Sequence, residues 1–378
     1  MQTNDPGYWK TGFGALQFFV FITVGKFEMG SADGLQIAHV GENKKEPGIM
    51  NQHRKITLDD IIAARTRIAE FSRHTPLKRA SALSRQLGVD VRLKLESMQD
   101  IGSFKIRGAA NRMLKLAEEK TLNGVVAVSS GNHGRAVSRV AGALGIPATI
   151  FMTHLVPANK VDGIRQLGAT VVIHGEDQDE AESEALRIAE RDGLEFISPF
   201  DDRDVIAGQG SIALEILEDW PEVETLLVPL SGGGLIGGIA IAVRAIKPEV
   251  QIVGVTTTHS AAMVESIKAG HVVSAGEEAS LADALPGPIP VNNQYTFELC
   301  KTLVDDIVQI SEDDIARGMV FALQEERLVL EGAGAIGIAH LLAAKSKAPS
   351  NCAIVCSGGN VDVDRLISLS QQKWNSDH

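Results

Sequence analysis

The sequence predicts an α/β protein whose mostly parallel sheets are flanked by helices. From residue 57 onward, short apolar runs rich in β-branched residues alternate with longer helical patterns, which is the order of a βαβ chain. Runs such as VVAV and TLLV are apolar throughout, as in strands that are buried on both faces. The length of 378 residues indicates two domains or one large one, and 44% hydrophobic residues suffice for a sizeable core.

The predicted elements follow one another along the chain. A first helix begins after Thr57, which is an N-cap residue type followed by Asp59 and Asp60 in the first turn. The predicted strands are Val91–Leu95, Gly124–Val128, Ala148–Phe151, Thr170–Ile173, Thr225–Val228, Ile252–Val255 and Ala353–Val355. Predicted helices between them include Lys105–Leu116, Gly134–Leu144, Val161–Leu167 and Asp179–Arg191.

Residues 1–50 differ from the rest of the chain. Their apolar run, Phe18–Val24, is shorter than the roughly 20 residues that a membrane helix needs. A charged, glycine-flanked stretch then follows without hydrophobic periodicity, as in disordered chains. We therefore expect the folded protein to begin near Met50, after a disordered extension. An organelle or membrane-surface address is the alternative.

Charge and cysteine content exclude several classes of protein. The 36 basic against 48 acidic residues give a net charge of −12, which disfavours nucleic acid as the main partner. Cys300, Cys352 and Cys356 form no CxxC pair, so a disulfide framework and a Cys-rich zinc site are excluded. We expect reduced, buried cysteines in a cytoplasmic protein.

The first candidate site is a lysine at the start of a helix. Lys105 follows a Gly-Ser turn in the segment Gly102–Ala109, between Phe104 and Ile106. Apolar neighbours desolvate an amine and lower its pKa, which makes the lysine a usable nucleophile for imine formation. A surface lysine is the alternative for this position.

Three further candidate sites follow predicted strands, at the sheet edge where ligands bind in open α/β sheets. In Ser129–Gly134, small residues bring backbone N–H groups to a helix start, which suits a carboxylate or phosphate. In Ser231–Gly238, three successive glycines open a helix and predict a phosphate site. In Cys356–Asn360, the hydroxyl of Ser357 is followed by two glycines and could approach the edge of a ligand's ring. Caps and turns are the alternative for the first and third.

The glycine-rich segment also satisfies GxGxxG through Gly232, Gly234 and Gly237, so a dinucleotide site competes. That site requires an acidic residue at the end of the next strand, where the sequence has Thr256–Thr258.

One cofactor, pyridoxal 5′-phosphate, requires an imine-forming lysine, a phosphate site, a carboxylate-binding loop and a neutral donor to a ring nitrogen. With GSFKIRGA, SSGNHG, AGQG, SGGGLIGG and SGGN in this order, the chain resembles the fold-type II pyridoxal-phosphate enzymes of the serine/threonine dehydratase and serine racemase family. The resemblance implies a tryptophan synthase β-like fold. Its large domain would be 51–120 with 203–372, its small mobile domain 121–202, and its assembly a homodimer.

The resemblance also implies the role of each site residue. Lys105 would form the imine and Ser130 would be a catalytic acid on the opposite face of the substrate. The remaining implied contacts are Phe104 on the cofactor ring, Asn132 on its 3′-oxygen, the amides of Ser231, Gly232, Gly233, Gly234 and Leu235 on the phosphate, Ser357 on the pyridine nitrogen, and Ser129, Ser130, Gly131 and His133 on the substrate carboxylate.

The implied activity is removal of water from a β-hydroxy amino acid such as L-threonine or L-serine, which gives a 2-oxo acid and ammonia. Amino-acid racemisation is the alternative. The racemase-type metal site is not expected, because the matching stretch Gly254–Ala262 has no carboxylate. The segment Glu325–Ala335 is similar to the matching segment of the dehydratase of hydroxyectoine and ectoine utilisation. The acidic run Glu176–Glu184 disfavours a dianionic substrate such as hydroxyaspartate. A nicotinamide-dependent oxidoreductase and a non-enzymatic binding protein remain open.

Overall fold

The computed structural model describes residues 55–129, 131–154, 156, 158–259, 261–273, 276, 278–344 and 349–372. The predicted extension 1–50 and Ser130 lie outside these residues, so those predictions are not addressed. The strands are β1 Leu77–Arg79, β2 Val91–Lys94, β3 Val125–Val128, β4 Ala148–Met152, β5 Thr170–Ile173, β6 Glu195–Phe196, β7 Thr225–Pro229, β8 Gln251–Thr257, β9 Asp306–Ile310 and β10 Cys352–Val355.

The helices alternate with these strands, as the sequence predicts. They are α1 Leu58–Arg67, α2 Ser81–Leu87, α3 Lys105–Glu119, α4 Asn132–Leu144, α5 Ala158–Arg165, α6 Gln178–Asp192, α7 Arg203–Asp219, α8 Gly234–Ile246, α9 Ala262–Ala269, α10 Thr296–Leu303, α11 Glu312–Gln324, α12 Gly332–Ala343 and α13 Val363–Ser370. The predicted N-cap of α1 is confirmed, because Thr57 and Asp60 form a capping box.

The strands form two sheets. The larger has the order β1-β2-β10-β7-β8-β9, and the smaller has the order β5-β4-β3-β6. Every pairing is parallel except β1 with β2. The prediction of mostly parallel sheets is therefore confirmed, whereas the division into domains at residues 120 and 203 stays a prediction.

Each sheet carries apolar cores on its two faces. Helices α7 and α8 contribute to one core of the larger sheet, and α11 and α12 contribute to the other. On the smaller sheet, α3 and α4 cover one face and α6 covers the other. Cys300, Cys352 and Cys356 are buried and free, as predicted.

The predicted strands were found within a few residues of their expected bounds, but three others were missed. Strands β1 and β6 have only three and two residues. Strand β9 lies at a sheet edge and is partly exposed. Short or half-exposed strands lack the continuous apolar run that identifies a buried parallel strand.

Candidate active site

The strand order of the larger sheet brings the lysine segment and the C-terminal serine segment together. Strands β2 and β10 are neighbours, and the segments that follow them pair through an isolated bridge between Ser103 and Gly358. The Phe104 amide donates to the Ser357 carbonyl at 3.0 Å. Lys105, the first residue of α3, and Ser357 therefore lie at one edge of the sheet, as the sequence predicts.

The Lys105 amine is held in a desolvated position. Its Nζ donates to the carbonyl of Pro199 at 2.7 Å and lies 5.3 Å from the centre of the Phe104 ring. Burial lowers the pKa of Lys105 to about 8, although the charge of Glu331 acts in the opposite direction. A neutral amine is the nucleophilic form, so this lysine is chemically suited to imine formation near neutral pH.

The glycine-rich segment at the start of α8 lies against Phe200, the residue after Pro199. A Cβ on Gly232 would lie 2.5 Å from the Phe200 ring, and one on Gly234 would lie 2.8 Å from the Phe200 carbonyl oxygen. Gly233 has a left-handed φ of 90° and caps α8 without a side-chain hydrogen bond. The backbone at the start of α8 thus turns tightly next to the lysine and keeps an uncapped helix N-terminus, which is a typical anion site.

A buried carboxylate connects the start of α4 to the rest of the site. The side-chain Nδ2 of Asn132 donates to Glu331 Oε1 at 2.7 Å, and the backbone N–H of Asn360 donates to Glu331 Oε2 at 3.1 Å. Asn360 also donates to Asn132 Oδ1 at 2.6 Å and to the Ile101 carbonyl at 2.9 Å. These bonds fix the amide of Asn132 beside the Lys105 segment.

The pKa of Glu331 is raised to about 7. Burial is the main cause, and the Asp283 carboxylate adds to it, while the hydrogen bonds from Asn132 and Asn360 oppose the rise. Glu331 therefore changes protonation near neutral pH, next to a lysine that does the same. A site with two such groups is typical of proton-transfer chemistry.

Of the remaining predicted residues, Ser129 and Gly131 precede α4, and His133 is the second residue of that helix. The Gly131 amide donates to Ser129 Oγ at 3.2 Å. His133 is buried, and its Nε2 contacts the carbonyl of Ile197 at 2.8 Å. Burial and the nearby Lys105 charge lower the pKa of His133 to about 3, so its ring is neutral. Ser130 is outside the described residues.

These groups fit pyridoxal phosphate. The amine of Lys105 can bond an aldehyde, and the start of α8 can hold a phosphate. Asn132 and Ser357 are neutral polar residues, and Ser357 is bonded through its carbonyl to the residue before Lys105. Gly233 supports this reading, because a side chain there would collide with the sulfur of Cys300, 2.8 Å away, and only glycine keeps the turn.

No group of three or more His, Cys, Asp or Glu residues within the described part of the chain could hold a metal ion. No helix within it is long and apolar enough to cross a membrane.

Sequence reasoning did not assign a role to Glu331 or Asn360, although both stand in quoted motifs. Glu331 precedes three small residues at the start of α12, after the apolar run LVL. An acidic residue at that place could have been noted as a candidate. Its partner Asn132 is 199 positions away in the sequence, so the contact itself has no local signal.

Comparisons with known proteins agree with this geometry. Residues 68–358 match the model of a family described as pyridoxal-phosphate dependent enzyme. The chain is 48% identical over 315 residues to a putative threonine dehydratase of Sinorhizobium fredii, covering 83% of this chain and 95% of that protein. It is 43% identical over 316 residues to an L-threonine ammonia-lyase of Thermotoga maritima, and the match covers 83% of this chain and 78% of that protein.

Among solved structures, maize serine racemase superposes with a TM-score of 0.78 at 33% identity, covering 83% of this chain and 96% of that one. The expected fold type is thereby confirmed. The chain belongs to the pyridoxal-phosphate dependent enzyme family, and its cofactor is pyridoxal 5′-phosphate.

Proposed function

We propose that this enzyme is an ammonia-lyase that removes water from L-threonine or L-serine and releases a 2-oxo acid and ammonia. The observation that carries the proposal is the desolvated Lys105 amine beside the Asn132–Glu331 contact. The names of the two bacterial relatives support the reaction. The uncapped helix N-terminus of α8 supports binding of the cofactor phosphate.

The residue roles are part of this proposal. Lys105 bonds the cofactor, Phe104 packs on its ring, Asn132 holds its 3′-oxygen and Ser357 holds its pyridine nitrogen. The amides of Ser231, Gly232, Gly233, Gly234 and Leu235 bind the phosphate, and the loop of Ser129, Ser130, Gly131 and His133 receives the substrate carboxylate.

When bound, the cofactor stabilises negative charge at the substrate Cα. The Lys105 amine, which the amino group of the substrate would displace from its bond to the cofactor, would take the proton from Cα as general base. The hydroxyl of Ser357 is not acidic enough to protonate a ring nitrogen, which favours rapid loss of a β-substituent over long-lived carbanions. The neutral ring of His133 presents no charge to the substrate and acts through position.

The test begins with the visible spectrum of the purified protein. A yellow protein that bleaches with borohydride and carries the adduct on Lys105 is expected. Lys105→Ala should abolish the adduct and the release of ammonia from L-threonine. Lys115→Ala, on the same helix and ion-paired to Asp204 at 2.7 Å, is the matched control and should retain both. A wild-type adduct on another lysine would contradict the assignment.

Racemisation is the second candidate, because maize serine racemase is among the solved structures with this fold at 33% identity. Ser130 would then act as the acid on the opposite substrate face. Incubation with L-serine separates the two activities: pyruvate and ammonia indicate elimination, whereas D-serine indicates racemisation. A Ser130→Ala variant should lower the formation of D-serine much more than the release of ammonia, which it weakens only through the carboxylate loop.

The cellular setting is proposed from the resemblance. We expect a cytoplasmic homodimer whose small domain, 121–202, moves against the large domain formed by 51–120 and 203–372. Hydroxyectoine or ectoine catabolism is the pathway that the segment Glu325–Ala335 favours. Sedimentation analysis of the holoenzyme tests the dimer.

A further inference from the structure

The segment between β6 and α7 contains a residue to which the proposed chemistry assigns no role. Two residues of this segment lie at the site, because the Pro199 carbonyl accepts the hydrogen bond of Lys105 and Phe200 lies against the glycine-rich segment. The next residue, Asp201, bonds a different part of the chain with its carboxylate. The position of Phe200 therefore depends on what this carboxylate binds.

Asp201 accepts backbone hydrogen bonds at the start of α10. Its Oδ2 accepts from the N–H of Gln294 at 2.6 Å, and its Oδ1 accepts from the N–H groups of Tyr295 at 2.9 Å and Thr296 at 3.0 Å. A carboxylate at a helix N-terminus is stabilised by the helix dipole and by charge-assisted hydrogen bonds. Asp201 therefore holds the start of α10 against the segment between β6 and α7.

Helix α10 also contacts the glycine-rich segment, at a different residue from Phe200. A Cβ on Gly233 would lie 2.8 Å from the sulfur of Cys300, which belongs to α10. A Cβ on Gly232 would instead lie 2.5 Å from the Phe200 ring. Successive residues of the glycine-rich segment thus lie against Phe200 and against α10, and Asp201 connects these two neighbours.

We propose that Asp201 is a positioning residue for the cofactor phosphate, because its bonds to α10 hold the glycine-rich segment between that helix and Phe200. This inference rests on the proposed function, in which the amides of the glycine-rich segment bind the phosphate. Backbone amides bind an anion strongly when they are already ordered, since ordering them on binding costs conformational entropy. Loss of the Asp201 carboxylate should therefore weaken phosphate binding more than the bond between Lys105 and the aldehyde.

The test compares the affinities of the cofactor-depleted full chain for pyridoxal phosphate and for pyridoxal, which has the ring and the aldehyde but no phosphate. In an absorbance titration, Asp201→Ala should weaken pyridoxal phosphate binding by at least about fivefold and change pyridoxal binding by less than about twofold. Asp201→Asn keeps the size of the side chain but not its charge, so it should act in the same direction by a smaller factor. A merely structural role would weaken the binding of both ligands alike.

Asp202→Ala is the matched control. Asp202 is the next residue and caps α7, where its Oδ1 accepts from the N–H groups of Asp204 at 2.8 Å and Val205 at 2.9 Å. Neither bond involves α10 or the glycine-rich segment. This variant should lower the thermal midpoint and leave the ratio of the two affinities within about twofold of the wild-type ratio.

Thiol labelling tests the contact with α10 without any cofactor. Cys300 lies in α10, whereas Cys352 and Cys356 lie in and directly after β10, and all three are buried. In Asp201→Ala, the rate at which a thiol reagent labels Cys300 should rise by at least about fivefold, because the start of α10 opens more readily. Peptide mapping should show unchanged labelling of Cys352 and Cys356, which are the internal controls.

The inference is overturned if Asp201→Ala loses affinity for both ligands by the same factor or for neither, or if its Cys300 is labelled as slowly as in the wild type. Failure of the proposed function is a different result and is seen in the wild type. The wild type would then release no ammonia from threonine or serine, or would bind pyridoxal as tightly as pyridoxal phosphate.

Discussion

The structure predicts a large loss of stability when Arg107 is replaced by methionine. Arg107 lies two residues after Lys105 on α3 and is 1% exposed. Its guanidinium donates two hydrogen bonds to Glu96, both at 2.8 Å, and two to Glu215, at 2.6 and 2.9 Å. Lys94 adds a 2.6 Å ion pair to Glu215. These buried charges connect β2, α3 and α7.

The magnitude follows from what the substitution leaves behind. Without Arg107, the buried carboxylate of Glu96 loses its ion-pair partner, and Glu215 keeps the ion pair with Lys94. Removing one partner of a buried ion pair lowers the free energy of unfolding by about 3–5 kcal/mol, because the remaining charge is neither hydrated nor compensated. For the described range 55–372, the usual entropy of unfolding makes one degree of the thermal midpoint worth about 0.7 kcal/mol, so the midpoint should fall by about 4–7 °C.

The assay is thermal unfolding at pH 7, where Glu96 is charged. Burial on its own raises the pKa of Glu96, but the Arg107 charge and hydrogen bonds outweigh it and lower that pKa. Arg187→Met is the control. It removes a comparable two-bond pair with Glu184 from the exposed side of α6, and it should leave the thermal midpoint close to that of the wild type. A midpoint for Arg107→Met within about 1 °C of wild type would refute this reasoning.

The other predictions concern the site itself. The rate of cofactor reconstitution, measured as colour formation, should rise with pH and level off above about 8, because the neutral Lys105 amine attacks the aldehyde. A rate that still rises up to about pH 10 would show that the pKa of Lys105 is not lowered. Glu331→Gln should move that break to lower pH, since the Glu331 charge holds the lysine pKa up, and an unmoved break would exclude this coupling. Gly232→Ala should weaken pyridoxal phosphate binding by at least about tenfold in an absorbance titration, because its methyl group would meet the Phe200 ring. Gly142→Ala, whose Cβ has only an ordinary contact at 3.7 Å, is its control and should bind normally.

Much of the site could be predicted because its segments follow buried strands. Strands β2, β10 and β7 run in parallel and are adjacent in the sheet. Their carboxyl ends meet at one edge, so the segments of Lys105, Ser357 and Gly232 converge there. The sequence identified these segments by glycine and hydroxyl content, but the order of neighbouring strands has no signal in any one of them.

The parts that were missed depend on contacts between distant positions. Glu331 lies within the segment Glu325–Ala335, and its significance comes from burial together with Asn132 and Asn360. The buried network of Arg107 was not predicted either, since a charged residue in a helix is usually exposed. In both cases, tertiary packing decides whether a polar side chain is solvated or paired, and local sequence does not encode it.

The reactivity of Lys105 shows the same division between sequence and fold. Sequence reasoning attributed its desolvation to Phe104 and Ile106. The Phe104 ring does lie near the amine, but Ile106 is buried in the core between α3 and the smaller sheet. The amine is held by the carbonyl of Pro199, and Glu331 opposes the effect of burial on its pKa. The motif therefore locates the nucleophile. Its pKa near 8 results from a balance between burial and the charge of Glu331, which is far from Lys105 in the sequence and comes near it only in the folded chain.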